Sequence, residues 1–442
     1  MKRSIITSLA FLVCGLSGYP QSVNKEKLDS FFTVITEKNK GMGSVAISRN
    51  GRVVYTRATG HAFISEGLKV PATVNTKYRI GSITKMFTAV IIFQLTEENK
   101  MNLDDKLAKY FPEIPNASKI TIANMLNHHS GIHNFTDDSL FLTYNTKAKT
   151  KKEMLDIIAG SSPDFEPGSK AQYSNSNFVL LGYIAENITG KSYQELVEER
   201  ITSKLNLSRT YVPAQTNSNN NESYSYTFIN TWKQEPVTDM SIPGGAGALV
   251  STPVDLVKFI ESLFMGKLVN MSSLEKMKTI QDNFGMGMFK VPFYEKIAMG
   301  HNGGIDGFGS MVGYFPSDSI AVAYCSNGQV YPINDIMIGI LSIIFNRSYS
   351  IPSFKTVELK SEELDKYLGV YSSTSIPLKL TVTKDKTTLM AQATGQASFP
   401  LEAVEPGLFK FDKAGVVIQF APAKKELTLS QAGKDYLFTM DN

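Results

Sequence analysis

Apolar and polar positions along this chain change rhythm several times, and each change marks an element. From Asn24 to Asn39 apolar residues recur at helical spacing, the mark of an amphipathic helix. The stretch "SVAISRNGRVVYTRATG" (44–60) switches to a period of two, with Asn50-Gly51 as a hairpin turn between its halves. A helical pattern then starts near Ser82 and runs to about Glu98. From Asn99 to Gly190 the chain reads as mostly helical with long loops. Further helices are predicted at 192–203 and 253–265, with the polar surface loop "TNSNNNESYS" between them. Between Gly285 and Ser326 the runs "GMGMFKV", "KIAMGHN", "GSMVGYF" and "IAVAYCS" have strand character, and a helix near 333–346 closes the unit. The N-terminal hairpin and three of the late strands can form one antiparallel sheet with the helical middle packed against it. That is an α+β arrangement.

Past a linker at 348–360 the rhythm changes again. "LKLTVTK", "TTLMAQA", "LFKFD", "VVIQFA", "ELTLSQ" and "YLFTM" are short alternating runs separated by turn residues. They predict a small all-β domain, a barrel or a sandwich. The expected plan is therefore a signal segment at 1–22, a main domain at 23–347, the linker, and a β-rich domain at 361–442.

Composition sets limits on partners. The 442 residues are 42% hydrophobic and 19% charged, as in ordinary globular proteins, and the formal charge is +4. Lys2 and Arg3 supply two of those charges, so the chain without its first 22 residues carries about +2, which argues against nucleic acid as a partner. "MKRSIITSLAFLVCGLSGYPQS" has the basic start, short apolar run and small residues of a secretory signal peptide, predicting a secreted or periplasmic protein. The run is too short for a transmembrane anchor. Cys14 directly after it raises lipidation as an alternative fate, although the preceding "FLV" lacks a small residue. Without that segment only Cys325 remains, so no intrachain disulfide can form.

Three short segments can carry chemistry. In "YRIGSITKMFTA" Ser82 stands three residues before Lys85, which places both on one helical face. A lysine whose pKa is lowered by burial can take the proton from a serine nucleophile; the plain alternative is a helix-capping serine and a solvated lysine. In "AQYSNSNF" Tyr173 and Asn175 are two apart and can project together, one to relay a proton and one to meet an amide. Here the plain alternative is a loop opening a helix. "GHNGGIDGFG" puts His301 ahead of Gly303 and Gly304 on a strand bare enough to offer its N–H groups to a substrate; otherwise it is a glycine-rich hairpin with a surface histidine. His128, His129 and His133 lack metal-ligand spacing, so no metal site is expected.

Taken in this order, the three segments resemble the serine β-lactamase and penicillin-binding-protein family, specifically its class C β-lactamase and D,D-carboxypeptidase branch, which includes esterases and D-aminopeptidases. "ITIANMLNHHSGI", "FEPGSKAQYSNSNFVLLGYIAENITGKSY" and "GGAGALVSTPVDLVKFI" extend the likeness over roughly residues 25 to 346. The resemblance implies an antiparallel sheet flanked by helices and an acyl-enzyme mechanism without cofactor. It makes Ser82 the nucleophile, with Lys85 and Tyr173 sharing the general-base work. Asn175, His301 and Gly303 would bind substrate, and the backbone N–H groups of Ser82 and Gly304 would form the oxyanion hole. Expected substrates are D-amino-acid peptides, then small esters, then β-lactams, with peptidoglycan as a wider partner. A penicillin-binding sensor that acylates without turnover is the alternative. His301 replaces the lysine of typical β-lactamases, and a partly charged imidazole there predicts weaker carboxylate binding.

Overall fold

The computed structural model describes residues 23–229, 231–431 and 434–441; the expected signal segment and Cys14 lie outside them. Its main body is an eight-stranded sheet. Along its main path the strands run Arg52–Thr59, Gly41–Arg49, Ile320–Gln329, Phe308–Phe315, Lys296–Ile305 and Phe289–Phe293, all antiparallel. Asn50 and Gly51 close the first hairpin at φ 52° and 76°, the positive pair that a type I′ turn requires.

Alternation along the central strands separates two cores. Val45, Ile47, Val322 and Tyr324 face the helices Lys25–Glu37 and Ile333–Ile344. Ala46, Ala321, Ala323 and Cys325 face the other way, into a larger core around the helix Thr84–Glu97. That helix is buried at every position from Thr84 to Leu95, so it is a core helix without a wet side. Phe87 stacks on Phe259 at 3.8 Å between ring centroids. Among the described residues no helix is long and apolar enough to cross a membrane.

The last eight strands, from Gly369 to Met440, close into a barrel. Of the two all-β forms the alternation allowed, closure is secured where Tyr371 pairs with Met440. The barrel is filled by its own side chains, including Leu389, Ile418 and Phe438.

Two expectations need correction. Four late strands join the sheet rather than three, because "GMGMFKV" contributes Phe289–Phe293 as an edge. After the polar loop, the hairpin Tyr226–Ile229 and Thr231–Gln234 attaches to the far end of the sheet through a parallel bridge from Tyr226 to Gly328. Its strands are only four residues long and follow an Asn-rich run, so local pattern gives them little weight.

Candidate active site

Ser82 does not cap the central helix. It lies in a 3₁₀ turn, Gly81–Ile83, that leads into the helix, and neither segment has a side-chain cap. Its hydroxyl serves other partners: Lys85 Nζ is 2.9 Å from Ser82 Oγ and the Tyr173 hydroxyl 2.8 Å. The one-turn spacing thus brings serine and lysine together, and the capping alternative is not realised.

Lys85 is fully buried and no carboxylate pairs with it among the described residues. Desolvation pushes its pKa far below the ordinary lysine value. Its other neighbours are Asn175 Oδ1 at 2.7 Å and the Ala246 carbonyl at 2.8 Å. Both are oxygens that only accept hydrogen bonds. A neutral amine has two N–H bonds and one lone pair. With the two N–H groups directed at these acceptors, the lone pair is left for the Ser82 hydroxyl. The amide of Asn175 is oriented from behind, because its Nδ2 donates to Asn134 Oδ1 at 3.2 Å and Thr136 Oγ1 at 3.0 Å. Asn175 is the first residue of the helix Asn175–Thr189.

Tyr173 comes from the loop before that helix. Burial raises its pKa, the hydrogen bond to Ser82 opposing weakly, so it stays protonated and donates to Ser82. Its ring rests on His128 at 4.5 Å between centroids. Burial keeps His128 neutral, and its Nδ1 accepts from the Ser174 N–H at 3.2 Å.

His301 departs from expectation. The strand turns its imidazole inward, 2% exposed, against Phe289 at 4.2 Å between centroids. Burial, the dominant cause, lowers its pKa to about 3, so it is neutral, not partly charged, near neutral pH. Nδ1–H donates to the Asn302 carbonyl at 2.5 Å, and Nε2 has no partner among the described residues. Buried and neutral, the imidazole presents no positive charge to a substrate carboxylate.

The glycines beyond it do what bare strand predicts. Gly303 passes so near Ile80 that a Cβ would lie 2.0 Å from the Ile80 carbonyl oxygen, and a Cβ on Gly81 would lie 2.9 Å from the Gly304 nitrogen. Phe289–Phe293 pairs with the strand only as far as Gly300, which leaves the edge from His301 onward open. Two-residue turns make Phe293–Lys296 and Ile305–Phe308 hydrogen-bonded pairs. Alternation from both ends then directs the Gly304 N–H to the open edge. The first hydrogen bond of the nucleophile turn is Ile83 N–H to the Ile80 carbonyl, so the Ser82 N–H precedes the ladder. Both Ser82 and Gly304 line one cleft of about 730 Å³.

This arrangement meets its family here. The Beta-lactamase family model matches residues 31–336. The chain belongs to that family. Members of the family share the penicillin-binding fold, and the chain is a serine hydrolase of this kind. Penicillin-binding protein 4* of Bacillus subtilis (strain 168) is 25% identical over 380 residues, covering 79% of this chain and 83% of its own. The teichoic acid D-alanine hydrolase of Staphylococcus aureus is 27% identical, over 64% of this chain and 70% of its own. Among solved structures, a D-stereospecific amidohydrolase from Streptomyces sp. superposes with a TM-score of 0.62 at 29% identity, covering 72% of this chain and 98% of that one.

Several site contacts carry no motif. The Ala246 carbonyl, the Asn134 and Thr136 brace and the Phe284–Phe289 wall around Tyr173 come from distant segments. Only the run "GGAGALV" hinted at one of them. His133 pairs with Asp138 and Asp164, and His129 with Asp282, so neither points at the site.

Proposed function

We propose that the protein hydrolyses amide and ester bonds of D-amino-acid compounds through a Ser82 acyl-enzyme, and that it acts outside the cytoplasm. The observation that carries this reading is the uncompensated, buried Lys85 with its lone pair left for Ser82. Lys85 takes the hydroxyl proton as Ser82 Oγ bonds to the carbonyl carbon. The oxygen of that carbonyl becomes an anion held by the N–H groups of Ser82 and Gly304. The proton then passes from Lys85 through Tyr173 to the leaving nitrogen or oxygen as its bond to carbon breaks. Water repeats the sequence on the acyl-enzyme and frees Ser82.

The D-amino-acid preference draws support from the names of two relatives, the D-stereospecific amidohydrolase and the D-alanine hydrolase. Small esters rank second. β-Lactams rank third, because a neutral, buried His301 gives their carboxylate no cation. The N-terminal pattern supports export.

Intact-protein mass spectrometry with a fluorophosphonate and with penicillin, beside p-nitrophenyl acetate turnover, tests the reading. A fluorophosphonate adduct and ester turnover, both lost in Ser82→Ala, are expected. An adduct without turnover would indicate an acylated sensor, and neither adduct nor turnover would sink the assignment.

A further inference from the structure

The charge lining the cleft is one-sided. Among the described residues no lysine, arginine or histidine lines it, but Glu235 and Asp306 do. Asp306 is committed elsewhere: its side chain is buried, accepts from the Thr238 hydroxyl at 2.6 Å and pairs with Arg79 at 3.5 Å. Glu235 is different. It is half-buried, and among the described residues no hydrogen bond or ion pair reaches its carboxylate. Its position is nevertheless fixed. Its own N–H donates to the Ser225 carbonyl at 2.9 Å, Pro236 follows, and Thr238 is held by Asp306.

The location of Glu235 says which part of a substrate it meets. A Cβ on Gly307 would lie 3.0 Å from Glu235 Cγ, so the carboxylate sits beyond the Gly304 end of the open strand. His301 and Tyr173, where the leaving group is protonated, lie at the other end. Glu235 therefore faces the acyl side of the scissile bond. The wall there is apolar, from Phe135, Phe141, Ile242 and Ile305.

We propose that Glu235 selects acyl groups that carry a cationic amine, so that the enzyme is a D-aminoacyl hydrolase rather than a carboxypeptidase. The inference rests on the Ser82 acyl-enzyme reading and narrows its substrates. A carboxypeptidase must capture a carboxylate on the leaving-group side, where the His301 imidazole is buried against Phe289 and turned away from the open strand edge. An unpaired carboxylate beside the acyl group attracts an ammonium and repels an anion. The amine can be the α-amine of a single D-residue or the side-chain amine of a longer acyl group; the shared requirement is the positive charge.

The test uses p-nitroanilides with a common leaving group: D-alanine, N-acetyl-D-alanine, N-succinyl-D-alanine and Nα-acetyl-D-lysine. Expected kcat/KM is at least about tenfold higher for one or both amine-bearing substrates than for N-acetyl-D-alanine, and lowest for the succinyl compound. Which amine is favoured places the charge. The preference should fade as pH rises through the substrate amine's own pKa, a readout that needs no variant. Glu235→Gln should collapse the ratio of amine to acetyl substrate, and Glu235→Lys should move the preference toward the succinyl compound. A wild-type enzyme that takes the acetyl substrate as well as both amines would overturn the proposal. So would a Glu235→Gln enzyme that keeps the wild-type ratio. The acyl-enzyme reading fails separately, by absence of a fluorophosphonate adduct and of p-nitrophenyl acetate turnover.

Discussion

Gly303 and Ile80 lie in direct backbone contact, with no room between them for even one methyl group. A Cβ at position 303 would meet the Ile80 carbonyl oxygen at 2.0 Å and Ser310 Oγ at 2.6 Å, and Ser310 itself donates to that carbonyl at 2.8 Å. The contact joins the turn that carries Ser82 to the strand that carries the Gly304 N–H. Gly303→Ala must push these segments apart. A shift near 1 Å in such a site lowers rate about a hundredfold, and the overpacking costs about 1–3 kcal/mol. We expect kcat/KM for p-nitrophenyl acetate to fall by about that factor while circular dichroism stays native. A near-normal rate would show that the separation between nucleophile and strand is not critical.

Lys85 links catalysis to stability. Its folded-state pKa is lowered by burial, whereas the unfolded chain returns it to the ordinary 10.5. Between those two values the unfolded state binds one more proton, so stability rises with pH. The slope from this one group is about 1.4 kcal/mol per pH unit. Lys85→Met should abolish Ser82 acylation by fluorophosphonate and remove that slope. Urea unfolding from pH 7 to 10 measures it. Parallel profiles for wild type and variant would mean that Lys85 is charged in the folded protein.

What the sequence made legible, and what it did not, follows the range of the interactions. Ser82 and Lys85 could be paired because local helical geometry alone joins residues three apart. Tyr173 and Asn175 were legible as a motif, but the brace of Asn134 and Thr136 behind Asn175 was not. Backbone carbonyls such as Ala246 leave no signature in residue type. The burial of His301 was hidden for a related reason: it depends on Phe289 and the rest of the finished fold, not on neighbours in sequence. The barrel strands were visible as alternation, yet alternation is the same in a sandwich, and closure depends on the meeting of Tyr371 and Met440.

The buried imidazole predicts an acid-limb effect of its own. His301 is neutral in the folded protein down to about pH 3, while in the unfolded chain it titrates at 6.5. Below 6.5 the unfolded state therefore binds more protons, and stability is lost as pH falls toward the folded value. His301→Phe keeps a ring against Phe289 and removes the proton. Its stability should fall less steeply between pH 6.5 and 4, by up to about 1.4 kcal/mol per unit. If the two proteins lose stability in parallel, His301 does not titrate differently on unfolding.

The barrel is tied to the sheet through Lys40. Its side chain is 3% exposed and pairs with Glu402 at 2.5 Å and Asp412 at 2.8 Å, both from the barrel, with the Phe354 ring 5.3 Å from the ammonium. Lys40→Ala leaves two carboxylates facing each other without a cation. Breaking a fully buried pair costs about 3–5 kcal/mol; partial exposure of Glu402 reduces this to about 2 kcal/mol. The loss falls on the interface, because the barrel core and the Ser82 cleft are built from other residues. Residues 350–360 contain no helix or strand, so a loosened barrel exposes that connection to protease. Limited trypsin digestion should release a barrel-sized fragment from Lys40→Ala several times faster than from wild type, with p-nitrophenyl acetate turnover of the intact variant within about twofold of normal. Equal cleavage rates would show that the interface is held by the apolar contacts of Phe354 and its neighbours rather than by the ion pairs.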